Sequence, residues 1–170
     1  MKLFRLLPLL LLFSSLGAIA QVGLYGEFSA AKLNVPNTGW IYGPTFGGYY
    51  DPAHFAFFRA GLDARAAFLG TGSTELYSGL VGPRLVVGAP ALPAHVYVES
   101  LVGVGHAEAG EGVAKTSATK FEYQFLGGVD LTVLPRIDWR VAEFSYGGLS
   151  GLNSSFNPKI LSTGIVVRLP

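Results

Sequence analysis

The chain contains no cysteine, few charged residues and no long apolar run beyond its first 20 residues. The absence of cysteine excludes disulfides and a lipid-modified cysteine at the N-terminus of a processed chain. Charged residues make up 14% of the 170 residues, whereas 50% are hydrophobic. A soluble all-β domain of this size usually carries more charge on its surface. No segment after residue 20 has the roughly 20 uninterrupted apolar residues that a transmembrane helix requires.

The first 20 residues have the pattern of an export signal. Two basic residues among the first five positions precede an apolar stretch from Leu6 to Phe13, and Ala18-Ile19-Ala20 matches a small-x-small cleavage site. We therefore predict a signal peptide at residues 1–20 and one mature domain at residues 21–170. Removing those two basic residues from the total of 12 leaves 10 basic against 11 acidic residues. The mature chain is nearly neutral, so we expect no nucleic-acid partner.

Apolar and polar residues alternate along most of the mature chain. Between Phe121 and Val133, apolar and aromatic residues occupy the odd positions, whereas the even positions are mostly polar or glycine. Successive side chains of a β-strand point to opposite faces, so one face is polar and the other apolar. Helix signals are weak, and even Ala60 to Phe68 alternates as a strand does. The pattern predicts eight strands, at residues 21–33, 40–51, 55–68, 75–88, 94–106, 119–134, 137–147 and 158–169.

The connections between these strands alternate in length. Short turns are predicted at residues 51–54, 88–93 and 134–136. Longer polar or glycine-rich loops are predicted at residues 33–38, 70–74, 106–118 and 147–157. Short turns on one side and longer loops on the other are typical of an up-and-down barrel with an even number of strands. The predicted fold is therefore all-β, an eight-stranded antiparallel transmembrane β-barrel.

The polar face of the strands collects nearly all the charge. Its members are Glu27, Arg59, Asp63, Arg65, Arg84, Glu99, Glu122, Asp130, Asp138, Arg140 and Arg168. Five positive and six negative groups can satisfy one another as ion pairs inside a barrel, with glycines leaving room for long side chains. A soluble lipocalin-like barrel, with the apolar face inward, would carry more Lys and Glu and fewer glycines on its outer face. We therefore predict that the charges line the lumen and the apolar face meets lipid.

Three residues do not fit this alternation. Pro44 and Pro83 fall inside predicted strands, where they remove a ladder donor, so we predict bulges or strand ends at these positions. Glu143 has the wrong parity relative to Arg140. A bulge near Val141 or Ala142, or a position beyond the apolar band, would account for it.

Aromatic residues suit girdles at the two membrane interfaces. The candidates are Tyr25, Trp40, Tyr42, Tyr49, Tyr50, Tyr123, Trp139 and Tyr146. We predict Trp139 near the periplasmic end and Trp40 near the outer end.

The chain resembles the small OmpA/OmpX-like outer-membrane β-barrels of diderm bacteria, also described as porin-family barrels. The resemblance is carried by AGLDAR (60–65), LVGPRL (80–85), VYVESLVGVG (96–105), WRVAEFSY (139–146) and TGIVVRL (163–169). It implies an outer-membrane location, contact with outer-membrane lipids and insertion by the barrel assembly machinery. Such barrels commonly end on an aromatic residue, whereas this chain ends on Leu169-Pro170, which departs from the usual insertion signal. We also expect no periplasmic peptidoglycan-binding domain after the barrel.

No catalytic or cofactor motif is complete. Ser117-Ala118-Thr119-Lys120 matches S-x-x-K, but it lies where a loop enters a strand and its companion motifs are missing. No two of the three histidines have the spacing of metal ligands, so we predict neither a metal site nor a cofactor. His106 with Ser145 or Ser150 could form a hydrolase site at the outer rim, although a lone rim histidine is more often a solvated loop residue.

The leading hypothesis is a structural or surface-presenting outer-membrane protein, not an enzyme and monomeric, whose loops contact an extracellular partner. Residues 106–118 are the predicted contact surface. An eight-stranded barrel is just wide enough for its own side chains, so we expect the charged lumen to block free diffusion. The alternatives are a narrow porin-like channel for small solutes or ions, a lipid-modifying enzyme at the outer rim, and a soluble lipocalin-like carrier.

Overall fold

The computed structural model describes residues 20–34, 39–55, 57–88, 93–109, 116–150 and 157–169. These residues form eight β-strands: β1 (Gln21–Lys32), β2 (Trp40–Phe55), β3 (Phe58–Thr71), β4 (Thr74–Gly88), β5 (Ala94–Ala109), β6 (Thr116–Leu134), β7 (Ile137–Leu149) and β8 (Lys159–Leu169). Each strand pairs antiparallel with the next, and β8 pairs with β1 to close the barrel. The predicted up-and-down barrel of eight strands is confirmed. The predicted signal peptide, apart from Ala20, and the terminal Pro170 lie outside the described residues.

No helix in the described part of the chain is long and apolar enough to cross a membrane.

The two ends of the barrel differ in their connections. At the terminus rim β1 begins and β8 ends, and the β2–β3, β4–β5 and β6–β7 connections lie there. At the loop rim lie the other four connections. Trp139 is near the terminus rim and Trp40 is at the loop rim, so the two tryptophans lie at opposite ends of the barrel.

Three predicted connections are wrong because the strands are longer than the alternation suggested. Residues 70–74 form a two-residue turn at Gly72-Ser73, where Gly72 adopts a φ of 60° that suits glycine. Residues 106–118 are strand up to Ala109 and again from Thr116. Residues 51–54 belong to β2, which continues through a register shift after Tyr50. Cross-strand pairing therefore extends the ladders past positions where polar residues suggested a loop.

Burial alternates along every strand, with the polar face inward. In β4, for example, Ser78 and Arg84 are buried, whereas Val81 and Leu85 are 51% and 42% exposed. The outward face is dominated by large apolar side chains such as Phe28, which is 59% exposed. The alternation predicted from sequence therefore holds, with charge inside and apolar groups outside.

Pro44 and Pro83 mark neither bulges nor strand ends, contrary to the prediction. Pro44 pairs with Phe28 on β1, and Pro83 pairs with Leu62 on β3, in unbroken registers. Towards the other neighbouring strand, β3 for Pro44 and β5 for Pro83, each proline lies in a short interruption of the pairing. The residue pairs before and after each interruption have the same register. Both side chains are exposed on the outward face. Each proline thus removes ladder pairing to one neighbour without displacing the strand.

Glu143 is brought into phase by a β-bulge at Val141. On β6, Asp130 pairs with Arg140 and the preceding residue pairs with Ala142, so Val141 has no partner of its own. Val141 and Ala142 are both exposed, whereas Glu143 is 2% exposed. The extra residue restores the parity of Glu143, which confirms the bulge that the sequence predicted at this point.

Candidate functional site in the barrel lumen

The predicted lumen residues all lie on the inward face of the barrel. Nine are buried, at 7% exposure or less: Glu27, Asp63, Arg65, Arg84, Glu99, Glu122, Asp130, Asp138 and Arg140. Arg59 and Arg168 are half-buried near the terminus rim. Buried charges are costly unless they are paired and hydrogen-bonded, so their contacts determine what the lumen can do.

Three arginines and three carboxylates alternate in a closed ring across the middle of the lumen. In order, the members of this arginine–carboxylate ring are Arg65, Glu99, Arg84, Asp130, Arg140 and Glu143. Arg65 Nη2 donates to Glu99 Oε2 at 2.9 Å, and Arg84 Nη1 donates to the other oxygen of Glu99. Arg84 Nη2 in turn lies 3.5 Å from Asp130 Oδ2. Glu99 and Asp130 therefore each join Arg84 to another arginine.

The second half of the ring is centred on Arg140. Its Nε donates to Asp130 Oδ1 at 2.9 Å, and its Nη1 donates to Glu143 Oε2 at 3.2 Å. Glu143 Oε1 accepts a hydrogen bond from Arg65 Nη1 at 2.6 Å, which closes the ring. Residues of β3, β4, β5, β6 and β7 are thereby connected across the lumen.

Each arginine of the ring also has one carboxylate partner outside it. These pairs are Arg65 with Asp63 at 3.4 Å, Arg84 with Asp51 at 3.9 Å, and Arg140 with Glu27. The near balance of charge predicted for the lumen therefore does not hold, because Asp51 and Glu143 also point inward. In the described lumen, eight carboxylates face five arginines. Carboxylate oxygens are accordingly left over, since Glu27 Oε2 and both side-chain oxygens of Asp51 are buried without a hydrogen-bond partner.

Tyrosine rings cover the guanidinium groups of the ring. The Arg84 Cζ lies 4.3 Å from the ring centroid of Tyr49 and 4.2 Å from that of Tyr97. The Arg140 Cζ lies 4.5 Å from Tyr97 and 4.4 Å from Tyr25. Stacking of this kind stabilises a cation more strongly when water is excluded. The prediction that Tyr25 and Tyr49 belong to an interfacial girdle is therefore wrong.

Each lumen tyrosine lies over a glycine on the neighbouring strand. The directly paired residues are Tyr25 with Gly47, Tyr49 with Gly23, and Tyr97 with Gly128. A Cβ added at any of these glycines would overlap the tyrosine hydroxyl or ring. The inward glycines that the sequence suggested as space for charged side chains thus also accommodate the tyrosine rings that cover them.

The remaining lumen charges form separate contacts. Towards the terminus rim, Arg168 Nη2 lies 3.0 Å from Asp138 Oδ1, which also accepts a hydrogen bond from Thr132 at 2.7 Å. Arg59 donates to the side-chain oxygen of Gln21. On the loop-rim side, Glu122 has no cation partner among the described residues. It accepts hydrogen bonds from Ser78 at 2.6 Å and Gln124 at 2.7 Å.

An apolar plug fills the lumen at the loop rim. It consists of nine buried residues from seven of the eight strands and the residue after β1: Ala31, Leu33, Ile41, Ala67, Leu69, Leu76, Ala107, Leu149 and Ile160. Between this plug and the charged ring lies a cavity of about 10 Å³ whose lining includes Thr45, Ser78 and Ser145. Such a cavity has room for at most a single water molecule.

The structure does not bring together the predicted hydrolase residues. Ser145 is buried in the lumen at 3% exposure, whereas His106 faces outward from β5. The His106 ring is 2.7 Å from Thr119 Oγ1 and 3.1 Å from Glu108 Oε1. Among the described residues no group of three or more His, Cys, Asp or Glu side chains could hold a metal ion.

Comparison with solved structures identifies the fold. Neisserial surface protein A matches with a TM-score of 0.58 and 18% identity, over 87% of this chain and 96% of that chain. The N-terminal β-barrel domain of Pseudomonas aeruginosa OprF matches with a TM-score of 0.54 and 11% identity, over 88% of this chain and 97% of that one. The chain has the fold of the small outer-membrane β-barrels.

A third match is Ail, the attachment invasion locus protein of Yersinia pestis, in complex with the heparin analogue sucrose octasulfate. Its TM-score is 0.57 at 16% identity, over 88% of this chain and 97% of that chain. No protein-family model and no curated protein sequence matches the chain. The predicted resemblance to OmpA/OmpX-like barrels is therefore confirmed, and at these identities it concerns the fold alone.

The sequence predictions missed three buried residues of the lumen, which are Tyr25, Tyr49 and Asp51. Tyr25 has the parity of Glu27, and Tyr49 has the parity of Asp51, so strict alternation would have placed both tyrosines inside. The sequence places Asp51 where a predicted strand meets a predicted turn, and it was not counted among the lumen charges. Asp51 is fully buried, and the register of β2 against β3 shifts between Tyr50 and Ala53, the span that contains Pro52.

Proposed function

We propose that this protein is an integral outer-membrane barrel with a structural or surface-presenting role and without enzymatic activity. The observation that carries the proposal is the filled lumen. The arginine–carboxylate ring crosses the middle of the barrel, and the apolar plug fills its loop rim. A barrel of eight strands is just wide enough for its own side chains, so these two layers leave no evident path for solutes.

The outward face supports residence in a lipid bilayer. Large apolar side chains, among them Phe28, Phe125 and Val104 at 59%, 57% and 59% exposure, cover it around the barrel. A soluble protein rarely exposes so continuous an apolar surface, which argues against a soluble lipocalin-like carrier. Export by the predicted signal peptide and insertion by the barrel assembly machinery are part of this proposal.

The β5–β6 hairpin is the best candidate for surface presentation. Its ladder continues from the pair Gly105–Lys120 to the pair Ala109–Thr116, whereas β6 begins to pair with β7 only at Glu122. The hairpin therefore projects beyond the neighbouring strand at the loop rim. A rigid paired extension can present a contact surface to an extracellular partner at a lower entropic cost than a free loop.

Outer-membrane fractionation combined with gel mobility before and after heating tests this function. A folded barrel migrates differently from its heat-unfolded form, and we expect this shift in the outer-membrane fraction. Recovery of the protein in the soluble periplasmic fraction would refute the proposal.

The narrow channel is the alternative function, and the polar lumen is the observation that favours it. We expect planar-bilayer recordings of refolded protein to show no steady unit conductance, because two layers close the lumen. Leu76→Ala loosens the apolar plug but leaves the charged ring in place, so this variant is also expected to show no conductance. A steady conductance that changes in Glu99→Gln would replace the structural role with the channel.

A further inference from the structure

Outward-facing charge is rare on this barrel and occurs as two like-charged pairs at the loop rim. Among the described strand residues on the outward face, Asp, Glu, Lys and Arg occur at four positions: Lys32, Glu75, Glu108 and Lys159. Lys32 pairs directly with Lys159 across β1 and β8, and Glu75 pairs directly with Glu108 across β4 and β5. The inward neighbours of all four belong to the apolar plug, so the two pairs lie at similar heights on opposite sides of the barrel.

Among the residues that the structure describes, no counter-charge accompanies the lysine pair. Like charges placed directly opposite on an antiparallel ladder destabilise it. Neither Lys32 nor Lys159 has a carboxylate partner among the described residues. The connections next to them, residues 33–39 and 150–158, contain no Asp or Glu in their sequences. An anion from outside the chain is therefore required if the two ammonium groups are to be paired.

The height of the lysine pair matches that of lipid headgroups. Ten residues separate Val22 from Lys32 on β1. At a rise of about 3.3 Å per residue and a tilt of about 40°, this distance spans about 25 Å of membrane, the height of the apolar band of such barrels. Trp40 pairs with Lys32, and Tyr146 pairs with Lys159, both exposed at the ends of the same row. Aromatic residues of this kind mark the membrane interface.

Below the lysines the outward face carries a small side chain between two larger ones. Ala30 is the next outward residue after Lys32, and it lies between Tyr42 on β2 and Leu161 on β8. Tyr42 also stacks on Phe28 at 6.2 Å between ring centroids. The small side chain between larger neighbours leaves room for a hydrocarbon chain directly beneath the two ammonium groups.

We propose that Lys32 and Lys159 together bind the phosphate of a membrane lipid whose headgroup carries a net negative charge, with an acyl chain lying over Ala30. The inference rests on the proposed outer-membrane barrel and adds a specific lipid partner to it. The pair at Glu75 and Glu108 offers no such site for an anion, so the lipid binds on one side of the barrel.

Trp40 provides a reporter beside this site. The chain has two tryptophans, and Trp139 near the opposite rim can be removed by Trp139→Phe. The protein is placed in nanodiscs that contain phosphatidylcholine with a fraction of brominated lipid, either phosphatidylglycerol or phosphatidylcholine with identical acyl chains. We expect brominated phosphatidylglycerol to quench Trp40 more strongly than brominated phosphatidylcholine. Lys32→Gln or Lys159→Gln is expected to weaken this preference about fivefold, and the double variant to abolish it.

Matched variants distinguish this site from a general effect of charge. Glu75→Gln with Glu108→Gln is expected to leave the preference intact, and a Trp40→Phe variant that reports from Trp139 is expected to show none. Equal quenching by the two lipids in the Trp139→Phe protein that keeps both lysines would overturn the proposal. So would loss of the preference on adding inorganic phosphate, which would assign the site to free phosphate. Lysine-dependent cross-links between copies would assign it to a second copy of the chain.

The folded state is measured in the same samples by the heat-dependent gel shift. A folded barrel without lipid preference would refute the lipid site and leave the proposed function standing. Failure of the wild-type chain to form a barrel would instead refute the proposed function itself.

Discussion

Arg140 and Glu143 lie three residues apart on β7, and both point into the lumen, where Arg140 Nη1 and Glu143 Oε2 are 3.2 Å apart. Regular alternation would place them on opposite faces of the strand. The bulge at Val141 supplies the one extra residue that puts both inside. A local irregularity of the backbone thus completes the arginine–carboxylate ring.

Deletion of Val141 and Ala142 together is expected to prevent assembly of the barrel. The deletion makes Arg140 and Glu143 adjacent in a regular strand, so one of the two must face lipid. A charge on the lipid face costs about 2–4 kcal/mol near the membrane midplane, and the ring also opens. The measurement is the folded fraction by heat-dependent gel mobility after refolding. Deletion of Val141 alone serves as the control, because it removes the bulge but leaves both side chains on the inward face. Equal folding of the two variants would disprove the requirement for both charges inside.

Arg140→Met is expected to destabilise the barrel by about 3–5 kcal/mol. The substitution leaves Glu27, Asp130 and Glu143 without a shared cation in a buried layer. Glu99→Gln is expected to cost less, because carboxylates outnumber arginines in the lumen. Urea unfolding in lipid vesicles measures both effects. Lys120→Met, at an exposed position, is the control and is expected to stay within about 0.5 kcal/mol. An Arg140→Met barrel as stable as this control would contradict the prediction.

Tyr97 is expected to stabilise the ring in two separable ways. Its hydroxyl donates to Glu143 Oε2 at 2.7 Å, so Tyr97→Phe is expected to cost about 1.5–3 kcal/mol. Tyr97→Leu also removes the stacking on Arg84 and Arg140 and is expected to cost at least about 2 kcal/mol more. The same urea unfolding experiment applies, with the exposed Tyr146→Phe as the control. If the Phe and Leu variants unfold at the same urea concentration, the ring stacking contributes nothing.

The outward face is expected to tolerate charge according to depth. Val102 lies near the middle of β5 and Val96 near its terminus-rim end, and both are exposed. Val102→Arg is expected to cost about 2–4 kcal/mol, and Val96→Arg about 0–1 kcal/mol. Both substitutions replace valine with arginine on the same strand, so differences in β-strand propensity cancel. Equal costs at the two depths, measured by unfolding in vesicles, would indicate that this face does not meet lipid.

The alternation of polar and apolar residues predicted the fold of this protein closely, because the face to which a strand residue points depends only on the local backbone geometry. The positions of Arg65 and Glu99 on the inward face followed from period two, without knowledge of any contact. The ends of the strands were harder to predict. Polar residues near His106 suggested a loop, yet pairing with Thr119 continues the ladder there. Whether a polar segment stays paired depends on its partner strand, which a single sequence does not reveal.

The order of residues along the chain is enough to establish strands with charge on one face and apolar side chains on the other. That information is local, since each residue's face follows from its parity along the strand. Which of these charged side chains form ion pairs with one another depends on the tertiary structure. Glu99 joins Arg65 to Arg84, residues that come from three different strands, only because closure of the barrel fixes their register and distance. The tertiary structure also decided that Lys32 lies beside Lys159, because the first and last strands pair when the barrel closes.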